Sequence, residues 1–469
     1  MNTIKFGTDG WRAIIAKDFT VRNVARVSAG ISNWLFKKYK EPSVVVGYDC
    51  RFGGKMFAET VAKVLAFKGI KVLLAPDFVT TPMVSLGVLR LQATLGIMIT
   101  ASHNPPEYNG LKLKGSHGGP LFEPDVKNVE ALIPDDNIIN LETIKWEGLL
   151  DQRWVEYADL ENLYFDEVHQ NFNIKKIINT GLKFAFDAMH GSGQNVIQKI
   201  LPGIKCLNCT LDPFFRGISP EPLEHNLITL SEKIRNHWNV DAGLAVDGDG
   251  DRIAMMDDNG RYVDAHHILL LLIHYLAGYK QMKGKIVTGF SSTVKVEKLA
   301  KHYKLPVQRV KIGFKQISEV MMKENVLVGG EESGGISIAG TIPERDGIWM
   351  GLTLFQFMAE TNKSLRTLIE EVYAITGAFS YQRQDLKIDK ELKTRVLKKC
   401  QENAYKNFGS YKVTRIETVD GWKFFFNPNE WYMIRPSGTE PLLRTYAEAK
   451  TDERASEIMR AGYESIMKS

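Results

Sequence analysis

The chain has 469 residues, of which 44% are hydrophobic, 10% aromatic and 25% charged, a globular composition that excludes disordered, collagen-like and disulfide-scaffold proteins. At roughly 100–200 residues per domain, this length holds several domains and buries a large core without covalent staples. The 60 basic and 55 acidic residues leave a net charge of only +5, and pairs such as Lys37-Lys38 and Lys175-Lys176 are short and scattered, so no nucleic-acid-binding stripe is expected.

The first twenty residues carry Lys5, Asp9, Arg12, Lys17 and Asp18, which leaves no apolar signal segment. A helix is predicted where Val24, Val27, Ile31 and Leu35 recur at helical spacing, with Thr20 as its N-cap. Strands are predicted over 43–49, 71–75 and 95–100, giving one α/β unit. The pattern restarts at 182–187 and runs through 242–246, then restarts at 285–289 and 326–329. These strands are nearly continuous apolar runs, as expected where both faces are covered.

The most lipophilic run, 268–273, is bounded by His266, His267 and His274 and is too short to cross a bilayer, so no membrane partner is expected. The cysteines are Cys50, Cys206, Cys209 and Cys400, sparse enough for a reducing, cytoplasmic setting. Cys206 and Cys209 make a lone C-x-x-C without the further ligands zinc needs. A strand over 205–211 would put their sulfurs on opposite faces. The C-terminal segment differs: helices are predicted over 389–408 and 451–467, and strands over 413–419, 422–426 and 431–435, with Asp420-Gly421 as a hairpin turn.

Four loops carry the chemistry. Asp247-Gly-Asp-Gly-Asp-Arg252 follows the strand 242–246 directly. Three carboxylates at alternate positions repel one another unless a cation joins them, and hard oxygen ligands favour Mg²⁺ over zinc. An EF-hand would need Gly at its sixth position and Glu at its twelfth, where this chain has Arg252 and Asp258. A plain Asp/Gly surface turn is the alternative. Thr100-Ala-Ser-His-Asn-Pro-Pro106 crowds hydroxyl, imidazole and amide groups at a strand end, where α/β ligand sites open. G-x-S-x-G is absent, so a hydrolase triad is not indicated, and an ordinary polar turn stays open.

Arg435-Pro-Ser-Gly-Thr-Glu-Pro441, with Arg444 beyond it, has the forked cations, hydroxyls and glycine of a phosphate cradle. Gly329-Gly-Glu-Glu-Ser-Gly-Gly335 offers acceptors that sugar hydroxyls could use. Gly7-Thr-Asp-Gly-Trp-Arg12 and Asn109-Gly-Leu-Lys112 flank the set. Together these groups point to phosphoryl chemistry on a polyhydroxylated substrate, which needs mainly positioning and charge neutralisation.

In this order the loops closely resemble those of the α-D-phosphohexomutase superfamily, which includes phosphoglucomutase, phosphomannomutase and phosphoglucosamine mutase. The resemblance runs from Thr8-Asp-Gly-Trp-Arg12 to the loop 435–441. It implies an α/β protein of three successive α/β units with mixed sheets and a smaller C-terminal α+β domain around a central cleft. The expected domains are 1–152, 153–260, 261–376 and 377–469. It further implies that Ser102 is a phosphoserine, with His103 a close neighbour of the reaction. Asp247, Asp249 and Asp251 would hold Mg²⁺ together with Ser102, and Arg252 would steady the phosphate. Lys112 would be a general acid/base or a charge stabiliser. Arg12, Glu331, Ser333 and Arg345 are implied on the substrate side of the cleft, and Arg435, Ser437, Gly438, Thr439 and Arg444 around the non-reacting phosphate.

The implied reaction interconverts hexose 1- and 6-phosphates through a 1,6-bisphosphate, which also serves as primer. The sugar loop 330–335 is nearer the G-E-E-S pattern of phosphoglucomutases, favouring glucose over mannose, glucosamine or pentose phosphates. Gly335 stands where relatives assign proton transfer to a histidine, and Phe314 stands where some carry another. A metal-dependent sugar phosphatase is the alternative from another class, and a non-catalytic phosphosugar-binding protein a third. Oligomeric state is not implied.

Overall fold

The structure is a computed structural model and describes residues 4–137, 139–436 and 442–469. The expected helix forms as Val21–Lys38, with Thr20 Oγ1 accepting from the Asn23 N–H at 3.2 Å. Val24, Val27, Ile31 and Leu35 are all fully buried along one face, so helical spacing and capping agree with the packing.

Four larger sheets follow one another along the chain, beside a two-stranded one formed by Asn407–Phe408 and Tyr411–Lys412. The first runs, edge to edge, through Trp11–Ile14, Tyr108–Gly115, Leu95–Ile99, Ser43–Tyr48, Lys71–Leu74 and Val155–Tyr157. Its pairs from Leu95–Ile99 outward to Val155–Tyr157 are parallel, while Tyr108–Gly115 is antiparallel to both neighbours. The second sheet is ordered Tyr262–Val263, Ile253–Asp257, Ala242–Val246, Phe184–Asp187 and Lys205–Leu207. The third is ordered Val307–Val310, Lys285–Gly289, Val326–Gly330 and Ile336–Ile338. All three are mixed, as expected. The fourth, Ser380–Lys387, Leu442–Ala449, Glu430–Pro436, Trp422–Asn427 and Arg415–Glu417, is antiparallel throughout.

A single apolar cluster crosses the first three domains, from Val45 and Val84 through Phe186 and Leu244 to Leu270, Ile286 and Phe355. The fourth domain has its own core around Val396, Phe424, Tyr432 and Ile458. It meets the third where Phe290 packs with Phe425, Trp431, Met433 and Tyr446.

Three local expectations are corrected. The helix expected over 389–408 is Lys390–Gln401, because Asn403 turns left-handed at φ 51° and ends it. The strand expected over 413–419 is shorter, Arg415–Glu417, and is preceded by a separate short strand, Tyr411–Lys412. The strand carrying Cys206 ends at Leu207, and Asn208 adopts φ 51°. That bend ends the strand before Cys209, so the two thiols do not alternate on opposite faces of one strand, and Cys209 Sγ lies 3.4 Å from Leu207 O. Among the described residues, no helix is long and apolar enough to cross a membrane.

Candidate active site

Ser102 follows the central strand Leu95–Ile99 and is 1% exposed, with φ 52°. A left-handed serine is a strained conformation that its surroundings must impose. Those surroundings begin with Arg51. Its Nη2 donates to the carbonyls of Ser102 and Asn104, both at 2.6 Å, and its Nη1 to those of Pro105 and Tyr108 at 2.9 and 3.0 Å. One buried guanidinium thus fixes the whole serine loop. Asp49 lies 3.4 Å from Arg51 Nε and accepts from Thr100 Oγ1, which in turn accepts from the Ser102 N–H. Burial pushes the Asp49 carboxyl up to about 6, against the pull of Arg51.

The Ser102 hydroxyl donates to Asp247 Oδ2 at 2.7 Å and lies 3.3 Å from His103 Nδ1. His103 Nε2 faces Arg252 Nη2 at 3.4 Å. An arginine only donates, so Nε2 is the acceptor and the ring proton sits on Nδ1, toward Ser102. Burial, then Arg252 and Arg12, hold the imidazole well below its ordinary value, so it is neutral. Arg252 is anchored by Glu221 at 2.8 Å.

Asp247, Asp249 and Asp251 are fully buried, and one oxygen of each lies within 4.8 Å of the others. Asp247 Oδ1 accepts from the N–H groups of Asp251 and Arg252, both at 3.0 Å, which curls the loop. Gly250 completes the curl at φ 72°. Backbone bonds clamp it to its surroundings, among them Thr81 N–H to Asp249 O at 2.9 Å, Gly347 N–H to Gly250 O at 2.9 Å, and Ile253 N–H to Gly334 O at 3.1 Å.

Lys112 Nζ lies 2.7 Å from both Asp249 and Asp251 and 3.0 Å from Asp9. Burial alone would lower its pKa, but the three carboxylates outweigh that and raise it, so it is a fixed cation. Arg345 donates to Asp251 at 2.5 Å and pairs with Asp9. Burial opposes ionisation of Asp249, yet Lys112 and Arg345 hold it below the usual carboxylate range. Asp247 goes the other way, pushed well up by burial and by its two neighbouring carboxylates. Asp249 Oδ1 and Asp251 Oδ1 are buried with no hydrogen-bond donor. Two orphaned hard oxygens beside Asp247 fit a hexacoordinate divalent cation such as Mg²⁺.

Glu331 Oε1 accepts from the Gly313 N–H at 2.7 Å, and burial followed by repulsion from Glu332 pushes its carboxyl up to about 7. Ser333 is half-buried in the same loop. A Cβ added at Gly335 would lie 2.3 Å from Arg345 Cδ, so the loop and this arginine are matched in size. The guanidinium also stacks over Phe314 at 5.6 Å. Arg12 donates to Asn104 Oδ1 at 2.6 Å and joins the Asp9 cluster. In the fourth domain Arg435 and Arg444 stand opposite each other on adjacent strands. Arg435 is held by Asp420, whose Oδ2 also accepts from the Ile312 N–H of the third domain. Ser437, Gly438 and Thr439 lie outside the described residues.

The structure therefore gathers Ser102, His103, Lys112, Arg252, Arg345 and the three aspartates into one cluster. Asp49, Arg51 and Thr81 belong to it without having been singled out from sequence, and Asp9 had been seen only as part of a motif. Asp49-Cys50-Arg51, placed directly after the apolar run 44–48, was the available signal.

The chain matches the phosphoglucomutase/phosphomannomutase family in four parts: alpha/beta/alpha domain I over residues 3–137, domain II over 162–260, domain III over 264–375, and the C-terminal domain over 385–464. A phosphoglucosamine mutase of Methanocaldococcus jannaschii is 30% identical over 465 residues, covering 97% of each chain. A phosphoglucomutase/phosphomannomutase of Thermococcus kodakarensis is 28% identical over 465 residues, again covering 97% of each. A crystal structure from Thermus thermophilus superimposes with a TM-score of 0.87 at 29% identity, covering 99% of both chains.

Proposed function

The chain belongs to the phosphoglucomutase/phosphomannomutase family of phosphohexomutases, and from that premise we propose that it interconverts glucose 1-phosphate and glucose 6-phosphate through phospho-Ser102 and a 1,6-bisphosphate. The observation that carries the mechanism is the 2.7 Å bond from Ser102 Oγ to Asp247 within the buried carboxylate cluster. Mg²⁺, when bound by Asp247, Asp249 and Asp251, supplies charge neutralisation for the transferring phosphoryl group.

The protein's own groups supply the rest. Arg51 holds the serine loop so that Oγ needs no reorientation during transfer. The neutral His103 presents its Nδ1 proton to the Ser102 oxygen, and Arg252 faces the same point. Lys112 acts as a fixed positive charge, since three carboxylates keep its proton in place at neutral pH. Glu331 and Ser333 read sugar hydroxyls, and Arg345 closes that side of the cleft. Arg435 and Arg444, with Ser437, Gly438 and Thr439, hold the phosphate that is not reacting, at either end of the sugar. A bisphosphate primer restores phospho-Ser102 when it is lost. Four free cysteines are in keeping with a cytoplasmic enzyme.

Turnover on glucose 1-, mannose 1- and glucosamine 1-phosphates, with Mg²⁺ and a trace of the matching 1,6-bisphosphate, tests the reading while free phosphate is followed. Glucose is expected to react fastest, with no phosphate release. Phosphate release without isomerisation overturns it in favour of a phosphatase, and a faster glucosamine reaction reassigns the sugar. Ser102→Ala is expected to abolish turnover and leave the fold intact.

A further inference from the structure

Between the second-sheet strands Lys205–Leu207 and Ala242–Val246 the chain makes an unusual turn. Phe215, Arg216 and Gly217 have φ of 48°, 53° and 77°, three left-handed residues in a row, two of them not glycine. A bulky side chain costs free energy in that region, so the surroundings must hold the turn. Asp212 braces it, accepting from the Phe214 N–H through Oδ1 at 2.9 Å and from the Phe215 N–H through its carbonyl at 3.0 Å. The Phe215 side chain leaves its own domain. It is 2% exposed and belongs to the first domain's apolar cluster, which also contains Cys50 and Phe57.

There the ring meets Arg51. The guanidinium carbon lies 4.9 Å from the centre of the Phe215 ring, a cation–π distance. Beside it Phe52 and Phe214 stack at 5.9 Å, so residues 51–52 of one loop face residues 214–215 of the other. Further contacts follow along the same segment. The Gly248 N–H donates to Pro220 O at 3.1 Å, and a Cβ on Gly248 would lie 3.0 Å from Pro220 Cγ. Glu221 then accepts from Arg252 at 2.8 Å. The segment 212–221 thus touches the guanidinium that fixes the serine loop, the loop that carries the three aspartates, and the arginine that faces His103.

We propose that Phe215 is a positioning residue for phosphoryl transfer, its ring sealing the face of Arg51 so that the guanidinium stays on the serine-loop carbonyls and Ser102 stays in register with the metal loop. The assignment rests on the phosphoserine reading of Ser102 given above.

Arg51 directs Nη1 and Nη2 at four carbonyls, at 2.6 to 3.0 Å. Water reaching its face would compete for those donors, and each bond weakens as the local dielectric rises. An aliphatic side chain in place of the ring excludes part of that water but offers the cation no π-face. Looser bonds let the left-handed Ser102 relax, and its Oγ then leaves the position it holds against Asp247. Phe215 reaches the reacting oxygen only through Arg51. Its loss therefore acts on kcat and on the order of the serine loop, and leaves sugar binding alone.

The test compares the full wild-type chain with Phe215→Leu, which removes the ring face, and Phe215→Tyr, which keeps it. With glucose 1-phosphate, Mg²⁺ and a trace of glucose 1,6-bisphosphate, Phe215→Leu is expected to lower kcat about tenfold while KM stays within about twofold. Phe215→Tyr is expected to keep about half of the wild-type kcat or more. Native-state hydrogen exchange without substrate is the second readout. Amides within 101–108 are expected to exchange about fivefold faster or more in Phe215→Leu, with those of Trp422–Asn427 in the fourth domain unchanged. Wild-type kcat in Phe215→Leu, a change in KM alone, unaltered exchange over 101–108, equal losses in the two variants, or faster exchange in every domain overturns the assignment. A wild type that isomerises no hexose phosphate defeats the mutase reading alone, and the exchange comparison then decides whether Phe215 holds the serine loop.

Discussion

Lys112 and Arg345 are the two cations that make three buried aspartates tolerable in one loop. Replacing Lys112 with Met leaves those carboxylates short of charge, a change that costs about 3–5 kcal/mol where a buried pair is broken. Lys112→Met is therefore expected to lower thermal stability in chelator, to recover part of it with Mg²⁺, and to reduce kcat about 100-fold or more with little change in KM. A change in KM alone would show that Lys112 only positions substrate. Gly335 makes a second test of the same neighbourhood. Because its missing Cβ is filled by the Arg345 side chain, Gly335→His is expected to cost about 1–3 kcal/mol and to lower activity. Full activity and unchanged thermal stability in Gly335→His would refute the size match. Ser102, the aspartates and Arg252 were legible because their chemistry is written in contiguous motifs. Asp49, Arg51 and Thr81 were not, because Arg51 works by reaching carbonyls more than fifty positions away and Thr81 by meeting Asp249 across 168 positions.

The helix Gly347–Thr361 shows what an element adds to this. Asp346 caps it through the Trp349 N–H at 2.9 Å and also accepts from the Tyr164 hydroxyl, so the second-domain helix Leu160–Asn171 is tied to a third-domain helix. Burial, only partly offset by those donors, pushes the Asp346 carboxyl from 3.8 to about 7. The folded chain therefore holds this proton in a range where the unfolded chain has lost it. The contribution is full below pH 4 and is lost as pH rises to about 7, so stability falls across that window on this account. Thermal unfolding of the wild type and Asp346→Asn, compared from pH 4.5 to 7.5, is expected to show the wild type losing ground steadily to the variant. A constant difference would mean that Asp346 is ionised throughout. Strands such as Ser43–Tyr48 and Ala242–Val246 were visible in sequence as unbroken apolar runs. Leu442–Ala449 was not, although it is a central strand of the fourth sheet, because Arg444, Thr445 and Glu448 interrupt the pattern. Glu448 is held by a domain contact, accepting from the Val294 N–H at 3.2 Å, that no local pattern reveals.

The whole molecule divides unevenly. Three domains share a continuous apolar cluster, while the fourth has its own core and joins the third through one small aromatic cluster and polar contacts such as Lys298 with Asn429. Successive α/β units were readable from the repeating strand pattern, but their common core was not, since it is made of contacts between distant segments. Native-state hydrogen exchange in increasing urea is expected to show fourth-domain amides opening at lower free energy, and with a smaller denaturant dependence, than those of the other three. A single opening shared by all four would contradict that division. The clamps on the acidic loop carry a consequence for biosynthesis. Thr81 leaves the ribosome before the loop, but Gly334 and Gly347 are translated after it. A nascent chain thus exposes three aspartates with part of their frame still unmade, and it gains Arg435 and Arg444 only near the end of synthesis. The cluster of Ser102, Lys112, Arg345 and the three aspartates can therefore close only after the third domain has been made.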